Sequence, residues 1–159
     1  MNFLTPLAVR IGAISWMPRL LPQITATDKF LQRVTRGRLT LLDIAGLPNL
    51  MLTVNGRKSD LPRNTPLLCV PHDSGYLIAG SNFGGAKRPM WVDNVRAAAE
   101  KGERVGARVR GVSHEAVVRE VTGAEHERLW DQMTQTWPNY TKYAERTGRT
   151  IPVFFLDPS

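Results

Sequence analysis

The spacing of apolar residues along this chain changes twice, from helical repeats to short strand-like runs and back. "LAVRIGAISWM" is apolar with one cation and stops at Pro18, whose ring clashes with the turn before it. "TDKFLQRVTRG" predicts a second helix, with Thr27 as N-cap, Phe30, Leu31 and Val34 at helical spacing, and Gly37 as the stop. From Arg38 to Asn82 the runs are short: "RLTLLDIA", "LMLTVNG", "NTPLLCVPH" and "GYLIAGSN" are divided by turn residues. That spacing predicts consecutive antiparallel strands in a meander. "MWVDNVRAAAEKGE" then places Trp91, Val95 and Ala98 on one helical face, and "RVGARVRG" and "HEAVVREV" alternate as a hairpin around Gly111, Val112 and Ser113. "GAEHERLWDQMTQTW" is an amphipathic helix that Pro138 separates from "NYTKYAERTGR", and "IPVFFLD" reads as a last strand.

Many short strands with helices between and beside them predict an α+β fold, an antiparallel barrel or half-open barrel carrying helices on its rim. Residues 1–37 form a helical, basic and apolar extension on this reading, and residues 38–159 form the barrel domain. A chain of 159 residues suits one core of ordinary size. The single cysteine, Cys69, excludes an internal disulfide and is most simply a buried small hydrophobe in a strand. Prolines and arginines interrupt the N-terminal apolar runs, so neither a signal peptide nor a spanning helix is expected, and the cytoplasm is the default location.

Charge sharpens the picture. The net +7 is N-terminal: residues 1–58 carry eight Lys and Arg against Asp28 and Asp43, while residues 59–159 carry thirteen against twelve acids. Such asymmetry favours an anionic partner: nucleic acid, a lipid surface or a phosphorylated ligand. Phe3 and Trp16, interleaved with arginines, suit either an anionic membrane surface or packing over the barrel. Nucleic acid ranks last, because the aromatics do not alternate with cations on strands as they do in stacking platforms.

Rossmann, P-loop, zinc-protease and C-x-x-C motifs are absent, and His72, His114 and His126 are too dispersed to suggest a metal site. Ser59 and Ser81 lack the glycines of a nucleophile elbow. Two segments remain. "NGRKSDLPRNTPL" sets Arg57, Lys58, Ser59 and the returning Arg63 around a hairpin turn, a suitable phosphate cradle. "GSNFGGAKRPMWVDN" leaves a strand through small residues that allow a flat ligand close to the backbone, then opens a helix at "PMW".

Taken in order, "GRKS…PRNTPL", "AGSNFGGAKRPMWVDNVRA" and "WPNYTKYAERTGRTIPVFFL" resemble the deazaflavin (coenzyme F-420)-dependent nitroreductase and quinone reductase family of actinobacteria, over about residues 46 to 157. The resemblance implies a split β-barrel and hydride transfer from the reduced 8-hydroxy-5-deazaflavin coenzyme to a quinone, nitro compound or other activated double bond. It implies that Arg57, Lys58, Ser59 and Arg63 bind the coenzyme's phosphate and acidic tail, with Thr65, Pro66 and Leu67 on the strand beside it. Ala79, Ser81, Asn82, Phe83, Gly84, Gly85 and Lys87 match the segment along the deazaflavin. Pro89, Met90, Trp91 and Asn94 match the helix start that closes over it. Tyr140 and Tyr143, after the break at Pro138, match tyrosines of the substrate pocket rim, and Trp137 and Leu68 match two further pocket positions.

Four positions depart from the family pattern: Asp60 replaces a usual glycine, Asn82 a lysine found in some quinone reductases, Val92 a common aromatic, and Leu68 a tyrosine of some members. Asp60 bears on coenzyme affinity, and Leu68 and Val92 on substrate identity. In the mechanism the resemblance implies, Ser81 holds the deazaflavin or a developing negative charge while Tyr140 or Tyr143 hydrogen-bonds the acceptor. An FMN- or FAD-binding split-barrel reductase, and a non-catalytic carrier of the deazaflavin or a lipophilic ligand, stay open as alternatives. So do the monomer and the homodimer.

Overall fold

The computed structural model describes residues 5–35 and 39–158. Phe3, the Gly37 stop and the Arg38 strand start lie outside those residues. The strands are β1 (Asn49–Asn55), β2 (Pro62–Leu68), β3 (Val70–His72), β4 (Gly75–Ala79), β5 (Val105–Val109), β6 (Val112–Val121) and β7 (Val153–Asp157). The helices are α1 (Thr5–Gly12), α2 (Leu21–Val34), α3 (Leu41–Ile44), α4 (Met90–Glu100), α5 (Gly123–Thr136) and α6 (Asn139–Thr147).

All strands join one antiparallel sheet in the order β2-β1-β5-β6-β7-β4-β3. Strand β6 serves both halves: its first part pairs with β5 from Val112 to Ala116, and its second pairs with β7 from Val117 to Val121. A strand that long carries enough right-handed twist to coil the sheet. Strands β2 and β3 are the two outer edges, yet only Cys69 separates them in sequence, so the sheet must curl until its edges approach. The Cys69 N–H donates to the Pro48 carbonyl at 3.0 Å at this corner. The result is the α+β split barrel expected above. The meander is corrected, because β2 does not pair with β3, and β1 and β4 take β5 and β7 as second neighbours.

Strand alternation divides the apolar residues between two cores. Leu50, Leu52 and Val54 of β1, Ile78 of β4, and Phe154 and Leu156 of β7 point into the barrel, where they meet Trp91, Val92, Val95 and Ala98 of α4. Each large side chain buried there contributes about 1.5–3 kcal/mol. Arg96 fixes α4 to β6 through a bidentate pair with Glu120, at 2.7 and 2.6 Å. The opposite residues, Leu77, Ala79 and Val153, pack outward under Leu129 and Met133 of α5 and Tyr140 and Tyr143 of α6.

Several local expectations change. "RLTLLDIA" contains α3 rather than a strand, because Thr40 and Asp43 form a capping box: the Asp43 N–H donates to Thr40 Oγ1 at 3.2 Å and the Thr40 N–H to Asp43 Oδ2 at 2.8 Å. Helix α2 starts at Leu21 with Pro22 in its first turn, and Thr27 lies inside it, its hydroxyl donating to the Gln23 carbonyl. Helix α1 ends at Gly12, and Pro18 sits in a 3₁₀ turn over Met17–Leu20. The β5–β6 turn is Arg110–Gly111, both with positive φ, which leaves Val112 and Ser113 in β6.

Candidate active site

The β1–β2 turn is closed by its backbone. The Gly56 N–H donates to the Leu61 carbonyl, and the Gly56 carbonyl accepts from Ser59 and Asp60. A Cβ on Gly56 would come within 2.6 Å of Ser59 Oγ, so a larger residue there would turn the Ser59 hydroxyl away from Arg63. Asp60 adopts φ +53°, a conformation that costs glycine little and other residues more. Its carboxylate accepts from Asn55 Nδ2 at 3.2 Å, away from Lys58 and Arg63. Arg63 donates to Ser59 Oγ at 3.2 Å. Lys58 is exposed, with no polar partner among the described residues.

The turn is latched to α4. The Arg57 N–H donates to Asn94 Oδ1 at 3.1 Å, and the Arg57 guanidinium lies 4.0 Å from Asp93. Register places Thr65 and Leu67 of β2 on the inward face, opposite Leu52 and Leu50, while Pro66 shares the other face with Met51. Met90 is 70% exposed at the start of α4. Trp91 is 6% exposed and meets Phe154 edge-on inside the barrel, so its indole is part of the core. Val92 is also core, against Gly80.

After β4 the backbone takes three successive positive-φ residues, Asn82, Phe83 and Gly84. Asn and Gly tolerate this conformation, whereas Phe83 stores about 1 kcal/mol or more. The segment is held from α6 and just beyond it: Arg146 donates to the Phe83 carbonyl at 2.8 Å, Thr147 to that of Gly85 at 3.0 Å, and Arg149 to those of Gly80 and Ser81 at 3.1 and 3.3 Å. Asn82 Nδ2 donates to the Lys87 carbonyl at 2.8 Å. The Ser81 hydroxyl and the exposed Lys87 ammonium have no described partner. Sequence reasoning missed Arg146, Thr147 and Arg149; the run "AERTGR" shows the cations, but nothing in its spacing says which carbonyls they reach.

Leu68, Phe83, Trp137, Tyr140 and Tyr143 share the second core. The expectation of tyrosines on a pocket rim is corrected, since Tyr140 is 3% and Tyr143 2% exposed. α1 contributes to this cover, with Asn139 donating to the Val9 carbonyl and Arg146 to that of Ala13. Tyr143 meets Phe83 and Tyr140 edge-on, and Arg146 lies over its ring. Its buried hydroxyl makes no well-formed hydrogen bond, although Trp137 and Asn139 lie near enough to favour its ionised form slightly. Burial raises both phenol pKa values, with the Tyr143 neighbour adding to the rise at Tyr140. Both therefore stay neutral at ordinary pH, able to donate a hydrogen bond and unable to serve as an anionic base.

With this geometry in hand, comparison with known proteins is decisive. The family model described as F420H(2)-dependent quinone reductase matches residues 26–158. The chain belongs to this family. An F420H(2)-dependent quinone reductase of Mycobacterium tuberculosis is 31% identical over 135 residues, covering 84% of this chain and 89% of the relative. The solved F420-H2 dependent reductase FDR-A is 31% identical, covers 69% of this chain and 94% of its own, and superposes with a TM-score of 0.62. A structure described as a domain-swapped dimer is 29% identical, with 84% and 95% coverage and a TM-score of 0.64. The heme storage protein HutZ of Vibrio cholerae, 13% identical with 70% and 82% coverage and a TM-score of 0.52, shares the fold alone.

As a member of this family the chain is an F420-dependent oxidoreductase, a quinone reductase, and FMN, FAD and carrier readings are not favoured. The residues present fit an anionic deazaflavin coenzyme. Unpaired Lys58 beside Arg57 and Arg63 supplies donors for a phosphate, and the backbone of residues 80–85 is tied back by Arg146, Thr147 and Arg149.

Proposed function

We propose that the coenzyme lies across the β1–β2 turn, the Ser81–Lys87 segment and the exposed Met90, with its phosphate at Arg57, Lys58 and Arg63. When bound, the reduced coenzyme supplies a hydride from its C5 carbon. The protein supplies position: the acceptor must sit roughly 3 to 3.5 Å from that carbon with water excluded. Ser81 offers its free hydroxyl to the ring system, and Asn94 holds the Arg57 backbone in place from α4. Tyr143, with Tyr140 beside it, donates a hydrogen bond to the quinone oxygen as charge develops there, which requires the acceptor to part the N-terminal cover over these buried phenols. The observation that carries this reading is the β1–β2 turn, latched to α4 through Arg57 and Asn94 and presenting an exposed Lys58 without a polar partner among the described residues. Nitro compounds and other activated double bonds present comparable acceptor atoms and fit the same donors.

Fluorescence titration with the oxidised deazaflavin, run beside FMN and FAD, tests the cofactor. Turnover of a menadione-like quinone tests the acceptor. Tight binding of FMN with none of the deazaflavin would reverse the assignment, and coenzyme binding without turnover of any acceptor would mark a carrier.

Contact with an anionic membrane surface is a second part of the proposal. Leu7, Ile11, Trp16, Phe30 and Val34 are 43–66% exposed, and Arg10, Arg19, Lys29 and Arg33 are exposed on the same helical segments. Among the described residues no helix is long and apolar enough to cross a membrane. Sedimentation with phosphatidylserine vesicles should weaken in the Trp16→Ser, Phe30→Ser variant and with added salt. Equal partitioning of parent and variant would count against it.

A further inference from the structure

The cradle region carries five cations, Arg57, Lys58, Arg63, Lys87 and Arg88, and two carboxylates, Asp60 and Asp93. Asp60 is occupied by Asn55. Asp93 is different. Its Oδ1 accepts from Nε and Nη2 of Arg88 at 2.8 Å, whereas its Oδ2 is 4.0 Å from Arg57, the outer limit of an ion pair. That guanidinium has no other polar partner among the described residues. A long, partly exposed pair of this kind is weak and easily exchanged, while the doubly bonded Arg88 pair is better placed to persist.

We infer, on the coenzyme-binding reading above, that Asp93 is a built-in counter-ion: Arg57 gives up Asp93 for the phosphate of the incoming coenzyme, and Arg88 keeps Asp93 aside. Asp93 and Arg88 are then residues that set the affinity and selectivity of the cradle without being ligands. At rest the carboxylate lowers the positive potential over the turn and discourages small anions. A bound phosphate regains Arg57 while Arg88, with Arg96 also near Asp93, holds the competing charge. Asn94, anchoring the Arg57 backbone, lets the side chain change partner while the turn stays fixed.

Asp93→Asn retains an oxygen for Arg88 and removes the charge. In the full-length protein, oxidised coenzyme and inorganic phosphate should each bind about three- to tenfold more tightly at low salt, with the gain shrinking at about 0.5 M salt. Arg88→Gln frees Asp93 to close on Arg57 and should weaken both ligands by a similar factor, with a smaller loss when Asp93 is already Asn. Unchanged or weaker binding by a folded Asp93→Asn protein, or strictly additive effects of the two substitutions, overturns the inference. If the parent protein binds phosphate and no deazaflavin, the coenzyme reading fails, and the phosphate titrations still decide the role of Asp93.

Discussion

Tyr143→Phe separates a chemical role from a packing role, because the two make opposite demands on stability. The hydroxyl is buried with no well-formed bond, only poorly aligned contacts to Trp137 and Asn139, and a buried donor left unsatisfied costs up to about 1–3 kcal/mol. Phenylalanine keeps the ring contacts, 5.8 Å to Phe83 and 6.1 Å to Tyr140 between centroids, and the guanidinium of Arg146 over its face. Loss of the hydroxyl alone should therefore leave stability unchanged or raise it by up to about 1 kcal/mol, a Tm increase of about 2–4 °C for a chain of this size. The missing donor should at the same time slow quinone reduction by about a hundredfold, since the hydrogen bond forms with the acceptor as charge develops. Coenzyme affinity should stay constant, because the cation turn is built from other residues. Calorimetry, coenzyme fluorescence titration and single-turnover reduction of a menadione-like quinone give the three readouts. A variant that melts lower and loses binding and turnover together would make Tyr143 a packing residue, and turnover at the parent rate would remove it from the chemistry.

Other outcomes follow from the same geometry. Lys58→Ala should weaken coenzyme binding roughly ten- to hundredfold, for a charge-assisted bond of about 1.5–3 kcal/mol, at unchanged Tm; unchanged dissociation constants for both Lys58→Ala and Arg63→Ala would exclude the turn as the phosphate site. Gly84→Ala places a Cβ at φ +77° and 2.9 Å from the Tyr143 carbonyl, so urea unfolding should show a loss above about 1 kcal/mol. Gly123→Ala, at φ +60° with nothing within 4 Å, should lose only the backbone part; equal losses would contradict the steric account. Burial lifts the Cys69 thiol from its ordinary value of 9.0 to about 12, with Arg110 opposing. The folded state then holds that proton more tightly than the unfolded state, so its stabilisation is complete below about pH 9 and is lost as pH rises toward 12. Cys69→Ala should flatten the fall in stability between about pH 8 and pH 10.5, and an identical slope in parent and variant would refute the linkage.

Periodicity along the chain was sufficient for α4, α5, α6 and the hairpin pairs, because a strong apolar repeat survives any tertiary arrangement that buries its stripe. The cation-bearing turn was legible for the same local reason: Arg57, Lys58 and Ser59 are neighbours in sequence and Arg63 returns at the start of β2. Composition misled at "RLTLLDIA", where the Thr40–Asp43 capping box outweighed β-branched content, and at Thr27, where Pro22 had already opened the helix. Sheet order was not legible. That β2 and β3, one residue apart, become opposite edges follows from the coiling of β6, a long-range property no local window contains. The same holds for function-bearing placement. Trp91 and Val92 turn into the barrel and Tyr140 and Tyr143 sink under α1 because burial is decided by which surface each helix face meets. Arg146 and Arg149 reach carbonyls more than sixty residues away, and Asp93 of α4 meets Arg57, only once the curled sheet brings α6, α4 and the β1–β2 turn together. Sequence alone determined which side chains could bind an anion or donate to a quinone; tertiary structure decided which of them are exposed, which are held by a partner, and which are left without one.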